Sequence, residues 1–336
     1  MGLLSEKPQG LPRKEAPLSL SLRKVAMAEK KLTHTSLKRS WTSPSSSLAE
    51  RSVEVCLALA SLVSIVTTLS IVTILLMEGG TFFSQVSLWD FLTGLQWSPL
   101  IEPKAFGILP LVCGTLLVGV GAMLVAAPMG AVTALFLSEY TSGVTRTVLK
   151  ASLEVLAGIP TVVYGFFAVT FVTPLLKGIF VNIEIFNALS AAIVVGMMTI
   201  PTISSISQDA FQAVPQDLRE AAYGLGARKF QVALTVVFPA ALSGFVASIM
   251  LAFARAVGET MAVTLAAGAT PRLTLNPLES IQTMTSYIVQ VSMGDTPAGT
   301  VEYQSIFAVG LVLFLMTLST NMIGNWVVSR YRQKYI

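Results

Sequence analysis

Apolar residues fall in long unbroken runs, not in the short amphipathic stretches of a soluble fold. A bilayer core of ~30 Å needs about 20 apolar residues at ~1.5 Å each. The runs 53–77, 107–137, 153–176, 188–206, 239–267 and 306–328 have that character, and they predict an all-α polytopic membrane protein with about six transmembrane helices. The second run is too long for one straight span. Pro128 and Gly130 inside it predict a kink, or a break into a span and a short interfacial helix. Residues 81–100 mix Phe82, Phe83, Val86, Trp89, Phe91, Leu92 and Trp97 with polar residues, which reads as an amphipathic helix lying on the outer surface. Residues 277–293 predict another surface helix or a partial re-entry, with Asn276 as N-cap and Pro277 at the first helical position.

Composition agrees with the pattern. Of the 336 residues 53% are hydrophobic and only 12% charged, against roughly 25% charged in soluble domains. The mean hydropathy is +0.72. Residues 1–50 differ. They are rich in Ser, Lys, Pro and Thr, as in Ser43-Pro44-Ser45-Ser46-Ser47, and predict a disordered basic cytoplasmic tail ahead of a permease-like domain over 51–336. No apolar stretch follows Met1 as in a signal peptide. The tail either sets topology or touches anionic lipid through pairs such as Lys30-Lys31 and Lys38-Arg39. With six crossings both termini share one side. That side holds eighteen Lys/Arg, including Arg146, Lys150, Arg219, Arg228 and Lys229, against Lys104, Lys177 and Arg272 on the other. The asymmetry predicts that both termini, and the 207–238 loop, are cytoplasmic. Basic residues crowded into a tail do not make a nucleic-acid surface. Cys56 and Cys113 lie in apolar runs and make no disulfide framework, while the single histidine, His34, is in the tail. No catalytic or metal-binding set is evident.

The 207–238 loop is too long and too well patterned for a passive connection. Asp217-Leu218-Arg219-Glu220 after Pro215 predicts a capping box, with Asp217 as N-cap and Glu220 reaching back. A short helix then runs until Gly224 and Gly226, and a second one, Arg228 to about Val237, leads to Pro239. Glu220-Ala221-Ala222, Gly226 and Val236-Val237-Phe238-Pro239 at these spacings resemble the EAA motif of bacterial ABC importer permeases, with Val-Val-Phe-Pro in place of the usual Ile-x-Leu-Pro. The resemblance implies a MetI-like fold and a loop that docks into a separate ATP-hydrolysing subunit, with Glu220, Ala221, Ala222, Gly226 and Pro239 as coupling residues. No G-x-x-x-x-G-K-[ST] phosphate loop occurs in the chain. ATP with magnesium is therefore expected in the partner ATPase, and no cofactor on this chain.

Arg255 and Glu259 stand inside the fifth run, four residues apart and so on one helical face. They read either as a mutually neutralising pair that holds helices together or as groups beside an anion path, where a guanidinium suits phosphate or sulfate oxygens. Arg255-Ala256-Val257-Gly258-Glu259-Thr260-Met261-Ala262-Val263 resembles the phosphate-specific ABC importer permeases, nearer the PstC branch than the PstA branch. Gly107-Ile108-Leu109-Pro110, Ala127-Pro128-Met129-Gly130, Leu137-Ser138-Glu139-Tyr140 and the stretch Leu156 to Gly165 are similar too. This likeness implies a role in transport for Arg255 and Glu259, with Thr260 beside them. It also implies a PstA-like permease partner, two PstB-like ATPase subunits, a PstS-like phosphate-binding protein and an inner-membrane location. Sulfate, molybdate or a cationic solute, or an ion-coupled carrier without an ATPase, are the alternatives. Pro128, Pro160 and Pro201 are hinges or packing features, and Thr199, Thr202, Ser204, Ser205 and Ser207 line a polar path or bond their own helix.

Overall fold

The computed structural model describes residues 46–331, with side chains from Glu50 to Arg330, so the expectations for residues 1–45, His34 included, lie outside the described residues. Helix α1, Ser46–Phe83, begins inside the expected tail. The chain divides after Ser70 into two compact units. From Glu50 to Ile71 every residue is exposed, although most are Val, Leu, Ile or Ala. A helix apolar on all sides and uncovered matches hydrocarbon as its solvent.

From Ile71 onward the elements form one bundle. After α1 come α2 (Leu88–Thr93) and a two-residue antiparallel pair, β1 (Trp97–Ser98) with β2 (Ala105–Phe106), Trp97 opposite Phe106. Helix α3 (Leu109–Leu135) runs on into a π-turn, Phe136–Tyr140. Then follow α4 (Gly143–Ala157), α5 (Thr161–Phe167), a second π-turn (Ala168–Val172), α6 (Thr173–Lys177) and α7 (Ala188–Gln212). Next come α8 (Gln216–Gly224), α9 (Lys229–Val232), a third π-turn (Ala233–Val237) and α10 (Phe238–Ala240). The last described elements are α11 (Leu242–Val257), α12 (Met261–Ala267), α13 (Met284–Ser292) and α14 (Val301–Tyr331). Among the described residues four stretches are long and apolar enough to cross a membrane, 50–83, 109–140, 188–212 and 301–330. Two bent pairs bring the number to six: α4 with α5–α6 at 82°, and α9–α10 with α11 at 70°.

The heart of the bundle is α3 against α7. Ala122, Ala126, Ala188, Ala191 and Ala192 are at most 5% exposed along this seam. A Cβ on Gly196 would lie 2.9 Å from the Ala122 carbonyl oxygen, so only glycine permits this approach. Small residues bring backbones together where lipid offers no hydrophobic drive between helices. Large apolar residues such as Leu124, Val132 and Phe166 face outward, 66% or more exposed.

Several expected boundaries move. Helix α3 is continuous through Pro128 and is not broken there; Gly130 is small because a Cβ would meet Ile203 Cγ2 at 2.6 Å. The run 153–176 is not a straight span. Pro160 has φ −57° and ψ 136°, outside the helical region, so the chain turns between α4 and α5. The run 239–267 is interrupted at Ala241 and again at 258–260. The aromatic stretch 81–100 is no surface helix. Phe82, Phe91 and Trp97 are at most 2% exposed and pack with Ile108, Met284 and Tyr287, while Trp89 points out at 73%. Pro277 starts no helix either, because the carbonyls of Pro277, Leu278 and Glu279 accept from Leu189, Glu184 and Ala188 N–H groups. Helix α13 starts later, with Thr283 capping it by accepting the Ser286 N–H.

Candidate functional site: the elbow after α7

The segment between α7 and α11 folds as a compact elbow. Pro215 occupies the N-cap position of α8, which puts Asp217 in the first turn, so the expected Asp217–Glu220 capping box is not formed. Asp217 there still complements the positive end of the helix. The far end of α8 is closed by two backbone bonds, Gly226 N–H to the Tyr223 carbonyl at 2.9 Å and Ala227 N–H to the Ala222 carbonyl at 3.1 Å. Gly226 has φ +83°. This is the Schellman arrangement, in which the residue after the cap adopts a left-handed conformation that glycine alone takes without cost. Helix α9 starts where the Gln231 side-chain oxygen accepts the Arg228 N–H at 2.8 Å. The π-turn before α10 loosens the backbone just ahead of Pro239, whose ring would otherwise strike a carbonyl one turn back.

This geometry sorts the motif residues. Glu220, Ala221, Tyr223, Gly224, Leu225 and Gly226 are exposed, Leu225 to 90%. Ala222 is half-buried against a small core of Ala134, Phe211, Val214, Val232, Val237 and Ala241. Pro239 is exposed at the bend into α11.

Arg219, expected only as one of the basic residues that set topology, is the buried residue of α8. Its Nη2 lies 3.1 Å from Glu139 Oε1 and donates to the Phe211 carbonyl at 2.7 Å, while Nη1 donates to the Val214 carbonyl. The two side chains are only 10% and 7% exposed. One guanidinium thus joins α8 to the π-turn of α3 and to the end of α7. Removing one partner of a buried ion pair costs about 3–5 kcal/mol, because the other is stranded. Arg146 bonds the Ser138 carbonyl within the same turn and the Thr141 carbonyl just after it, and Lys229 lies 5.0 Å from the Tyr140 ring centroid. A cavity of about 330 Å³ opens beside Glu139, Arg219 and Lys229. The available signal was a lone carboxylate, Glu139, just past the apolar run 107–137.

Arg255 and Glu259 are not brought together. Helix α11 stops at Val257, with Gly258 as its C-cap, so Glu259 leaves the helical face on which the pairing was expected. Glu259 is 9% exposed, accepts the Ala262 N–H at 3.2 Å, and offers its carbonyl to Thr285 Oγ1 at 2.8 Å. It therefore shapes the entry to α12. Thr260 lies in the same break, its carbonyl accepting the Thr264 hydroxyl. Arg255 is exposed in the last turn of α11, with no ion-pair partner among the described residues. The α7 hydroxyls divide as well: Thr199 bonds its own helix, and Ser207 pairs with Ser248 of α11 at 2.8 Å. Thr202 and Ser205 border a cavity of about 170 Å³.

Comparison with known proteins bears on these elements together. Residues 126–333 match the family described as binding-protein-dependent transport system inner membrane component. The chain is 36% identical to the probable ABC transporter permease protein YqgH of Bacillus subtilis over 245 residues, 73% of this chain and 79% of the relative. It is 33% identical to the phosphate transport system permease protein PstC of Mesorhizobium japonicum, over 72% of this chain and 79% of that one. Among solved structures, a bacterial alginate ABC transporter in complex with a pentasaccharide-bound periplasmic protein is similar in fold, with a TM-score of 0.57 at 16% identity, covering 86% of this chain and 99% of that one. With its spans interrupted by the 216–240 elbow, the chain belongs to the family of binding-protein-dependent transport system inner membrane components.

Proposed function

We propose that the chain is the channel-forming permease subunit of an ATP-driven phosphate importer, multi-pass in the inner membrane with both termini cytoplasmic. The observation that carries the coupling role is the elbow itself. Its back is fixed to α3 and α7 through Arg219, and its front presents Glu220, Ala221, Tyr223 and Leu225 uncovered. Phosphate as cargo is supported by the PstC relatives, among them that of Xylella fastidiosa, 31% identical over 76% of this chain. ATP and magnesium belong to the partner ATPase pair, a second permease chain completes the channel, and a phosphate-binding protein delivers from outside. Arg255 is exposed on this chain and serves the anion path, where a planar fork of donors matches phosphate oxygens. Glu259 and Thr260 set the helix break beside it.

Reconstitution with the ATPase, the second permease and the binding protein tests this reading. Phosphate is expected to stimulate ATP hydrolysis and to enter the vesicles, while sulfate and molybdate do neither. Equal stimulation by sulfate, or phosphate uptake that follows an ion gradient without ATP, contradicts it.

A further inference from the structure

Helix α8 has nine residues, and Arg219 is its buried one. Ala222 adds half-buried packing, and the rest of the surface is given to the exposed motif. Little apolar area therefore holds α8 against the bundle. The guanidinium does, with three acceptors on two other elements: Glu139 in the π-turn of α3, Phe211 at the end of α7 and Val214 just beyond it. A π-turn inserts one extra residue, which rotates the chain that follows by about 100°. Glu139 lies within that turn, and Ser138 Oγ donates to its Oε1 at 3.0 Å. Arg146 fastens the same turn from α4 through the Ser138 and Thr141 carbonyls.

We propose that the Arg219–Glu139 pair is a latch making α8, the end of α3 and the end of α7 one rigid lever, so that displacement of α8 by the ATPase reaches the spans and is not absorbed in the loops. The inference rests on the proposed coupling role and assigns two positioning residues to it. Neither residue is on the exposed docking face. Without the latch, α8 is tethered by two short connections, 213–215 and 225–228. Those connections transmit position poorly, because only the half-buried Ala222 then holds α8 at an angle to the spans.

The test uses the complete transport complex in proteoliposomes, with Glu139→Gln, Arg219→Gln and the double variant. Co-purification of the ATPase is expected to persist, with ATP hydrolysis within about twofold of wild type, while solute taken up per ATP falls about tenfold; the double variant falls no further than either single one, as for residues acting as a unit. Glu139→Asp keeps the charge one methylene short and is expected to lose less, which preserves the test if Glu139→Gln fails to assemble. A second readout needs no substrate. Spin labels at Asp217→Cys and Val132→Cys, in a chain carrying Cys56→Ser and Cys113→Ser, are expected to hold one narrow distance with and without trapped nucleotide, and to spread in the Glu139→Gln background. Uptake and hydrolysis falling in proportion, or a label distance indifferent to Glu139, overturns the latch. A wild-type complex that moves no phosphate overturns the transport reading alone, since the label distances still decide the latch.

Discussion

At the aromatic end of the bundle, where α3 begins, Phe82, Phe91, Trp97 and Tyr287 are each at most 2% exposed and meet edge to face, Phe82 and Phe91 at 5.5 Å and Trp97 and Tyr287 at 4.8 Å. At the elbow the comparable place is taken by an ion pair, a π-turn and a Schellman closure. The first kind of cohesion is spread over area and has no single critical contact. The second is directional and concentrated in a few atoms. Breaking the aromatic end therefore costs stability alone, whereas breaking the ion pair costs stability and, in addition, the coupling of α8 to the spans.

The strongest way to break the comparison is Trp97→Ala. Truncating a buried Trp costs about 3–5 kcal/mol. The expected result is a large fall in the melting temperature of the purified complex, with ATPase binding intact in what remains folded. Glu220→Lys acts at the opposite end. It reverses a charge on the exposed face of α8 and is expected to weaken ATPase co-purification by tenfold or more, about 1.4 kcal/mol per decade, with the melting temperature of the isolated chain unchanged. Unaltered co-purification and uptake remove Glu220 from the interface. Arg255→Gln is expected to lower phosphate uptake about tenfold without loss of assembly, since charge-assisted bonds to phosphate are roughly twice as strong as neutral ones. Wild-type uptake would return Arg255 to a structural role. The smallest effect concerns Lys104, exposed in the outer loop and 2.5 Å from Glu302. That hydrogen bond to the Glu302 carboxylate raises the Lys104 pKa above its usual 10.5. A raised lysine pKa stabilises the fold fully below the unfolded value and loses this as pH climbs through the folded one. The melting difference between wild type and Lys104→Met is thus expected to stay small and constant from neutral pH upward, and to vanish only beyond 10.5.

What the sequence revealed follows from what is local. Span positions were legible because apolar runs are local. The Glu220 to Gly226 spacing was legible because a helix of fixed rise and a left-handed stop impose it. Pro160 is a hinge or a packing feature by sequence, and the size of its bend is not legible there, since hydropathy stays high through Gly158-Ile159-Pro160 and only the backbone turns. The Arg255–Glu259 face failed for a related reason: spacing promised a neighbouring pair, but Gly258 ended the helix between them. Asp217 missed the cap because Pro215 took that position. The aromatic stretch 81–100 looked amphipathic, and its inward face is explained by Tyr287 and Met284, about two hundred residues later in the chain. Arg219 and Glu139 are 80 residues apart, and no local pattern connects them.

The central claim is that the 216–240 elbow meets the ATPase on the cytoplasmic side. A photo-crosslinking residue at Leu225, 90% exposed on the open side of α8, tests it in intact membranes, with Trp89 of the aromatic end, 73% exposed, as the control. The account predicts that Leu225 captures the ATPase subunit and Trp89 does not. Capture of the ATPase from Trp89, or capture of the external binding protein from Leu225, would contradict it.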